Sequence, residues 1–131
     1  FLLTKKEAEE LTGFDDYHQA AQAIIQLGAY QVIIKQGAQG AYLLTKSGFS
    51  RQMAAYPIKL VDPTGAGDSF AGGLIGYLAA HRGSLDDHHL VLRGMAHGTA
   101  MASFVVSAFG PQIHQELTWE QISQRAQQIL P

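Results

Sequence analysis

The apolar residues of this chain follow a helical spacing near both ends and form short unbroken runs in the middle. Thr4 and Glu7 have the Ser/Thr-x-x-Glu spacing of a capping box, which predicts a short helix through about Leu11. A second helix is predicted to begin at Asp15-Asp16 and to end at Gly28. Its apolar stripe consists of Ala20, Ala21, Ile24, Ile25 and Leu27.

The middle of the chain favours strands. Val32-Ile33-Ile34 is a β-branched run without polar alternation, which is typical of a strand buried on both faces. Gly37 and Gly40 mark a tight connection to the next strand. Strands are predicted at residues 32–34, 41–45 and 49–56, with a short extended segment at 58–61 and the end of a buried strand at 1–3.

Helical spacing returns after residue 64. It predicts a helix over 65–80 and another from the capping residues 84–87 to about Val106, ended by Gly110-Pro111. Residues 118–121 repeat the capping-box pattern before a last helix. The first of these helices has Phe70, Leu74, Tyr77 and Leu78 on one face, with Ala71, Gly72, Gly73 and Gly76 allowing close packing; the last has Trp119, Ile122, Ala126 and Ile129 at core positions. This order of elements predicts an α/β fold.

Composition narrows the class of protein. The 131 residues fit one domain, and their 47% hydrophobic content allows a sizeable core. A charged fraction of 15% and a net charge of −2 argue against a nucleic-acid-binding protein. There is no cysteine, and no apolar run approaches the ~20 residues that cross a bilayer. We therefore expect a cytoplasmic protein without membrane contact, and the first residue, Phe, suggests a fragment.

The strongest chemical signal is the string Asp-Pro-Thr-Gly-Ala-Gly-Asp-Ser-Phe-Ala-Gly-Gly at residues 62–73. A predicted strand ends there, and a helix begins within a glycine-rich turn. The first backbone N–H groups of a helix lack intrahelical partners, so small side chains at 65–67 make an anion site. Asp68 stands beside it and is suited to accept a proton, a role worth roughly 10²–10⁴-fold in rate. The alternative is structural: a carboxylate that stabilises the helix dipole after an ordinary tight turn.

This string closely resembles the second signature of the ribokinase (PfkB) family, Asp-x-Thr-Gly-Ala-Gly-Asp followed by Ser/Ala-Phe and small residues. The resemblance implies that Asp68 is the general base. It also implies an anion hole for the γ-phosphoryl group, formed by Gly65, Ala66 and Gly67. In family members that use a monovalent cation such as K⁺, Asp62 and the backbone of Thr64 match the positions that hold it.

The segment Lys-Gln-Gly-Ala-Gln-Gly-Ala at residues 35–41 resembles a second family pattern, Thr/Lys-x-Gly-x-x-Gly. That resemblance implies that Lys35, Gly37 and Gly40 line the phosphates and ribose of ATP. An ordinary glycine hairpin is the alternative. The segment is not a Walker A loop, because no Gly-Lys-Ser/Thr follows at the required spacing.

Thr4 and Glu7 resemble the family pattern Asn-x-x-Glu, in which the glutamate organises Mg²⁺ and phosphate through water. Thr4 replaces the asparagine here, and a capping box explains the pair equally well. His97 matches a helix position that flanks the nucleotide base, with a core or surface histidine as the alternative. His88 and His89 are adjacent and His89 and His97 are eight apart, so the histidines lack the i, i+4 spacing of metal ligands and no structural metal is expected.

The resemblance covers nearly the whole chain. It implies a ribokinase-like three-layer α/β/α sandwich, of which residues 1–131 are the C-terminal, ATP-binding half, without the half that supplies the substrate pocket and lid. The implied activity is transfer of the γ-phosphoryl group of ATP, with Mg²⁺, to a hydroxyl of a sugar or nucleoside. The alternatives are a non-catalytic nucleotide-binding fragment and a hydroxymethylpyrimidine- or pyridoxal-type kinase, against which the residue 62–68 string argues. An exposed apolar sheet edge makes a homodimer a further expectation.

Overall fold

The computed structural model of the protein describes residues 1–108 and 116–130. The chain divides into two compact units, residues 1–54 and residues 55–131, and each is described by itself. The prediction that residues 1–131 form a single domain therefore stays a prediction. The expected helix end at Gly110-Pro111 lies outside the described residues.

The first unit contains a four-stranded sheet with the order β1-β2-β3-β4. Its strands are β1 (Leu2–Thr4), β2 (Gln31–Lys35), β3 (Ala41–Thr45) and β4 (Ser50–Met53). Strands β1 and β2 are parallel, whereas β2–β3 and β3–β4 are antiparallel. The predicted strands are confirmed, but the strand predicted over 49–56 ends at Met53, because Met53 pairs with Ala41, where β3 begins.

Helices α1 (Lys5–Thr12) and α2 (Tyr17–Gln26) belong to the same unit. The capping box is confirmed, since Thr4 and Glu7 exchange hydrogen bonds between side chain and backbone. The core of the unit joins α2 to β2, with Ala8, Ala20, Ala21, Ile24, Val32, Ile34 and Tyr42 among its buried residues. The assignment of Leu27 to the apolar stripe is wrong: Leu27 is the C-cap of α2, beyond its last turn, and is 76% exposed.

The second unit contains α3 (Ala66–His81), α4 (His88–Val106) and α5 (Trp119–Ile129). Helices α3 and α4 pack through glycine, since a Cβ atom on Gly73 would lie 2.8 Å from the Cα of Gly98. Gly72 and Gly76 were expected to contribute to this contact, but both are exposed and have open space where a Cβ would lie. The close approach is confined to one side of α3.

The ends of α4 and α5 follow the capping signals. Asp87 caps α4 by accepting hydrogen bonds from two backbone N–H groups, and Thr118 forms the predicted capping box of α5. The prediction that Trp119 is a core residue is wrong, because it is 46% exposed at the first position of α5. Within the described residues, no helix combines the length and apolar character needed to cross a membrane.

Candidate active site

The loop before α3 is shaped by hydrogen bonds among its own residues. The carboxylate of Asp62 accepts a hydrogen bond of 2.9 Å from the backbone N–H of Thr64. The N–H of Ala66 then donates to the carbonyl of Pro63 over 3.2 Å. Gly65 has φ of +82°, a left-handed conformation that glycine adopts without strain and that turns the chain into the helix. The glycine-rich turn predicted from the sequence is thus a tight turn leading directly into α3.

The first turn of α3 presents unpaired backbone donors. The first helical hydrogen bond runs from Ser69 N to Gly65 O over 2.9 Å. Within the part of the chain that the structure describes, the N–H groups of Gly67 and Asp68 have no hydrogen-bond acceptor. The backbone there is only half-buried, and Asp68 itself is exposed. This geometry suits an anion approaching the positive end of α3, with a carboxylate beside it.

The charge state of Asp62 follows from its neighbour. Hydrogen bonds from Thr64, from its side chain first and then its backbone, hold the pKa of Asp62 below its ordinary value. Asp62 is therefore an anion at neutral pH, and only one of its carboxylate oxygens accepts the Thr64 N–H. The second oxygen has the chemistry of a ligand for a hard cation.

Two predicted site residues of the first unit meet at the carboxyl ends of parallel strands. Thr4 at the end of β1 is in register with Lys35 at the end of β2. Glu7 follows on the first turn of α1, and hydrogen bonds from Thr4 lower its pKa, with a further contribution from the charge of Lys35. The structure therefore brings Thr4, Glu7 and Lys35 together at one edge of the sheet.

The turn after Lys35 is tight. Gln36 N donates to Gly40 O over 2.8 Å, closing a short 3₁₀ turn over Gly37–Gln39. Gly37 and Gly40 have φ of +57° and +96°, which explains why glycine stands at both positions. The other side of this turn is held by Gln52, which donates to Gln39 O over 3.1 Å. The two glycines therefore form a tight hairpin turn between β2 and β3, which agrees with the structural alternative. Their role in nucleotide binding stays a prediction.

His97 is buried within the second unit. Its Nδ1 atom lies 2.7 Å from Arg93 O, and its Nε2 atom lies 3.3 Å from the hydroxyl of Ser123. Burial lowers the pKa of His97, opposed by the bond to Arg93 O and assisted by the charge of His81. These contacts favour the core-histidine interpretation over a role beside the nucleotide base. Among the described residues, no group of three or more histidine and carboxylate side chains is arranged to hold a metal ion.

Two residues of α4 contact the segment at residues 61–70, and no sequence pattern predicted either contact. Val106 O accepts hydrogen bonds from the N–H groups of Val61 and Asp62, over 2.8 Å and 3.1 Å. Gly98 abuts the carbonyl of Phe70, since a Cβ atom built on Gly98 would lie 2.5 Å from that oxygen. Both α4 residues lie far along the chain from the loop, so no local pattern could reveal the contacts.

The described residues form an α/β protein in which a glycine-rich turn leads into the N-terminus of α3. Its family follows from comparison with known proteins: residues 1–118 match the model of the pfkB family carbohydrate kinases. Because that match covers most of the chain, this protein belongs to the pfkB family.

Curated relatives agree with this assignment. A cytidine kinase of Thermococcus kodakarensis is 44% identical over 77 residues, which are 56% of this chain and 27% of the relative. An aminoimidazole riboside kinase of Salmonella typhimurium is 35% identical over 101 residues, covering 77% of this chain and 31% of the relative. The chain thus spans about a third or less of these proteins.

Solved structures show the same fold. The crystal structure of aminoimidazole riboside kinase from Salmonella enterica, complexed with aminoimidazole riboside and an ATP analogue, matches 95% of this chain and 40% of its own, with 30% identity and a TM-score of 0.80. A candidate ribokinase II of E. coli, in complex with ATP and Mg²⁺, matches 97% of this chain and 38% of its own, with 27% identity and a TM-score of 0.77. The predicted ribokinase-like α/β fold is confirmed as a partial one.

Proposed function

We propose that this chain carries the ATP-binding groups and the general base of a kinase that phosphorylates a hydroxyl of a sugar or nucleoside. One observation carries the proposal: the first turn of α3 presents the N–H groups of Gly67 and Asp68 without acceptors in the described chain, beside the exposed Asp68 carboxylate. A base next to donors for a transferring phosphoryl group is what this chemistry requires.

The proposed reaction uses this turn directly. The acceptor hydroxyl transfers its proton to the Asp68 carboxylate, and its oxygen forms a bond to the γ-phosphorus. The bond from that phosphorus to the β–γ bridging oxygen breaks, and ADP leaves with the electron pair. Meanwhile the amides of Gly65, Gly67 and Asp68 would donate to the γ-phosphoryl oxygens, where negative charge must be stabilised. The N–H of Ala66, which the sequence also assigned to the anion hole, donates instead to Pro63 O within the turn.

The first-unit residues would bind the nucleotide and its metal. Lys35 supplies a positive charge for the phosphates, and the glycine turn at Gly37 and Gly40 allows close approach of their oxygens. Glu7 fits an outer ligand of Mg²⁺ through water, since its pKa is lowered and one of its carboxylate oxygens is not used by the capping box. Magnesium, when bound, would neutralise phosphate charge. Thr4 serves the capping box, which favours a structural role for it.

A monovalent cation such as K⁺ fits the start of the loop. Asp62 is held in its ionised form by hydrogen bonds from Thr64. Its second carboxylate oxygen and the backbone carbonyl of Thr64 would be the ligands. Such a cation would place positive charge close to the anion site, and K⁺ dependence of the rate is the expected sign of it.

The relatives support a sugar or nucleoside as the acceptor. The names cytidine kinase and aminoimidazole riboside kinase describe enzymes whose substrates carry a ribosyl group. We therefore propose that the acceptor of this protein carries a free hydroxyl on a sugar ring. An enzyme that consumes ATP in this way would act in the cytoplasm.

Two measurements on the full-length protein test the proposal. Calorimetry with ADP and with a non-hydrolysable ATP analogue, each with Mg²⁺, should show binding. Transfer of label from γ-³²P-ATP should occur with at least one member of a panel of sugars and nucleosides. Nucleotide binding without transfer to any acceptor would favour the non-catalytic module. An absence of nucleotide affinity would contradict the proposal as a whole.

A further inference from the structure

Helix α4 contacts both arms of the loop at residues 62–68. On the upstream arm, the carbonyl of Val106 accepts hydrogen bonds from Val61 N over 2.8 Å and from Asp62 N over 3.1 Å. On the downstream arm, Gly98 lies against the backbone of Phe70, two residues after Asp68. One helix therefore fixes both where the loop begins and where it enters α3.

The downstream contact is backbone against backbone. A Cβ atom on Gly98 would lie 2.5 Å from Phe70 O, and one on Gly73 would lie 2.8 Å from the Cα of Gly98. No rotamer change can relieve either approach, so a side chain there must push α3 away from α4. At Gly94, one turn earlier on α4, the nearest atom is instead the Cδ1 of Leu74 at 2.8 Å, the flexible end of a side chain.

We propose that Gly98 is a positioning residue for the phosphoryl transfer, an inference that rests on the proposed function. Its missing side chain lets the second turn of α3 lie directly on α4, and this sets where the Asp68 carboxylate lies relative to the arm held by Val106. A methyl group at position 98 would shift the base while the other arm stays anchored. Misplacement of a catalytic group by about 1 Å costs roughly 10²-fold in rate.

A purely structural explanation makes a different prediction. Glycine inside a helix lowers stability relative to alanine, and close helix packing alone could account for its presence. In that case Gly98→Ala would change the melting temperature, while kcat measured well below melting would stay near normal. Positioning requires instead that kcat falls in the folded variant.

The test compares Gly98→Ala with Gly76→Ala in the full-length kinase, below the melting temperature of each. Gly76 lies on the same helix as Asp68 but is exposed, and a Cβ there meets nothing within 4 Å. We expect Gly98→Ala to lower kcat by roughly 10–100-fold with little change in the affinity for ATP, and Gly76→Ala to leave kcat unchanged. Where Gly98→Ala does not fold, Gly73→Ala makes the same test, since its Cβ would meet the backbone of Gly98 and His97 across the same contact between α3 and α4.

A double-mutant cycle separates this inference from the proposed function. If Gly98 acts through Asp68, adding Gly98→Ala to Asp68→Asn lowers kcat little further, because the base is already lost. Additive losses would overturn the positioning role and leave the proposed function intact. A near-normal kcat in Asp68→Asn alone would instead contradict the proposed function on which the inference rests.

Discussion

The Nε2 atom of His97 lies 3.3 Å from the hydroxyl oxygen of Ser123, and this contact connects α4 to α5. The other ring nitrogen lies 2.7 Å from the carbonyl of Arg93, which can only accept. In the neutral ring Nδ1 therefore carries the proton, and Nε2 accepts from Ser123. The same ring stacks on Trp119, with 5.3 Å between ring centroids, so one imidazole joins two helices through both its edge and its face.

This arrangement predicts that stability falls below neutral pH. Burial lowers the pKa of His97 in the folded protein, so the unfolded chain binds the proton more readily. The contribution of the neutral ring is fully present above the unfolded pKa of about 6.5 and is lost as the pH falls through the folded value. Denaturant unfolding at about pH 8 and at about pH 5 should show this loss as a lower free energy of unfolding at the acidic pH.

The control for this prediction is a second histidine. His97→Gln should remove part of the pH dependence of the unfolding free energy, whereas His89→Gln, at an exposed position, should keep it. The charge of His81 lowers the pKa of His97 further and should strengthen the effect, whereas the hydrogen bond to Arg93 O opposes it. Equal pH dependence in the protein and in His97→Gln would show that His97 is not the titrating group.

The contacts of Arg125 lead us to expect that its substitution lowers stability. Its guanidinium carbon lies 3.4 Å from the centroid of the Phe104 ring and 4.4 Å from that of Tyr56, and its Nη1 donates to Ser103 Oγ over 3.0 Å. Cation–π contacts and one hydrogen bond of this kind together are worth about 1–2 kcal/mol. We expect Arg125→Met to lower the free energy of unfolding by that amount in urea. The exposed Arg51→Met is the control and should stay within about 0.5 kcal/mol.

Replacing Arg82 is expected to raise stability because of its backbone conformation. It is the C-cap of α3 with φ of +44°, the only residue other than glycine with positive φ in the described ranges. The left-handed conformation costs an L-residue about 1–2 kcal/mol. Glycine removes that strain, but it also raises the entropy of the unfolded chain, which offsets part of the gain. Arg82→Gly should therefore raise the free energy of unfolding by about 0.5–1 kcal/mol. Arg82→Ala keeps the strain, so a similar gain in that variant would disprove the backbone explanation.

Local patterns predicted the elements whose causes are local. The capping residues Thr4 and Thr118 and the strand at 41–45 follow from a few neighbouring side chains, and the structure confirms them. The strand predicted over 49–56 was too long, because a strand ends where its partner ends, and the apolar residues after Met53 gave no sign of that. Trp119 was predicted to be a core residue for a similar reason. Helical spacing shows which residues share a face of α5, but it does not show whether another element packs on that face.

In the candidate site, too, the local features were predictable and the long-range contacts were not. The turn into α3 follows from its own glycines, so its shape was predictable from residues 62–68. Its support by Gly98 and Val106 depends on how α4 packs, which no motif records. The family resemblance predicts the chemistry of these residues, whereas the contacts that support the loop join residues far apart in the sequence.

The central claim is that Asp68 is a base, and Asp68→Asn in the full-length enzyme tests it most directly. The substitution keeps the shape of the side chain and removes its basic oxygen, so we expect kcat to fall by roughly 10²–10⁴-fold while the affinity for ATP changes little. Asp62→Asn changes the proposed cation ligand and should affect the chemical step less, while Gly76→Ala, whose Cβ meets nothing within 4 Å, is the control and should leave kcat unchanged. If Asp68 only compensates the helix dipole, the variant would lose about 0.3–1 kcal/mol of stability and keep a near-normal kcat, and that result would contradict the account.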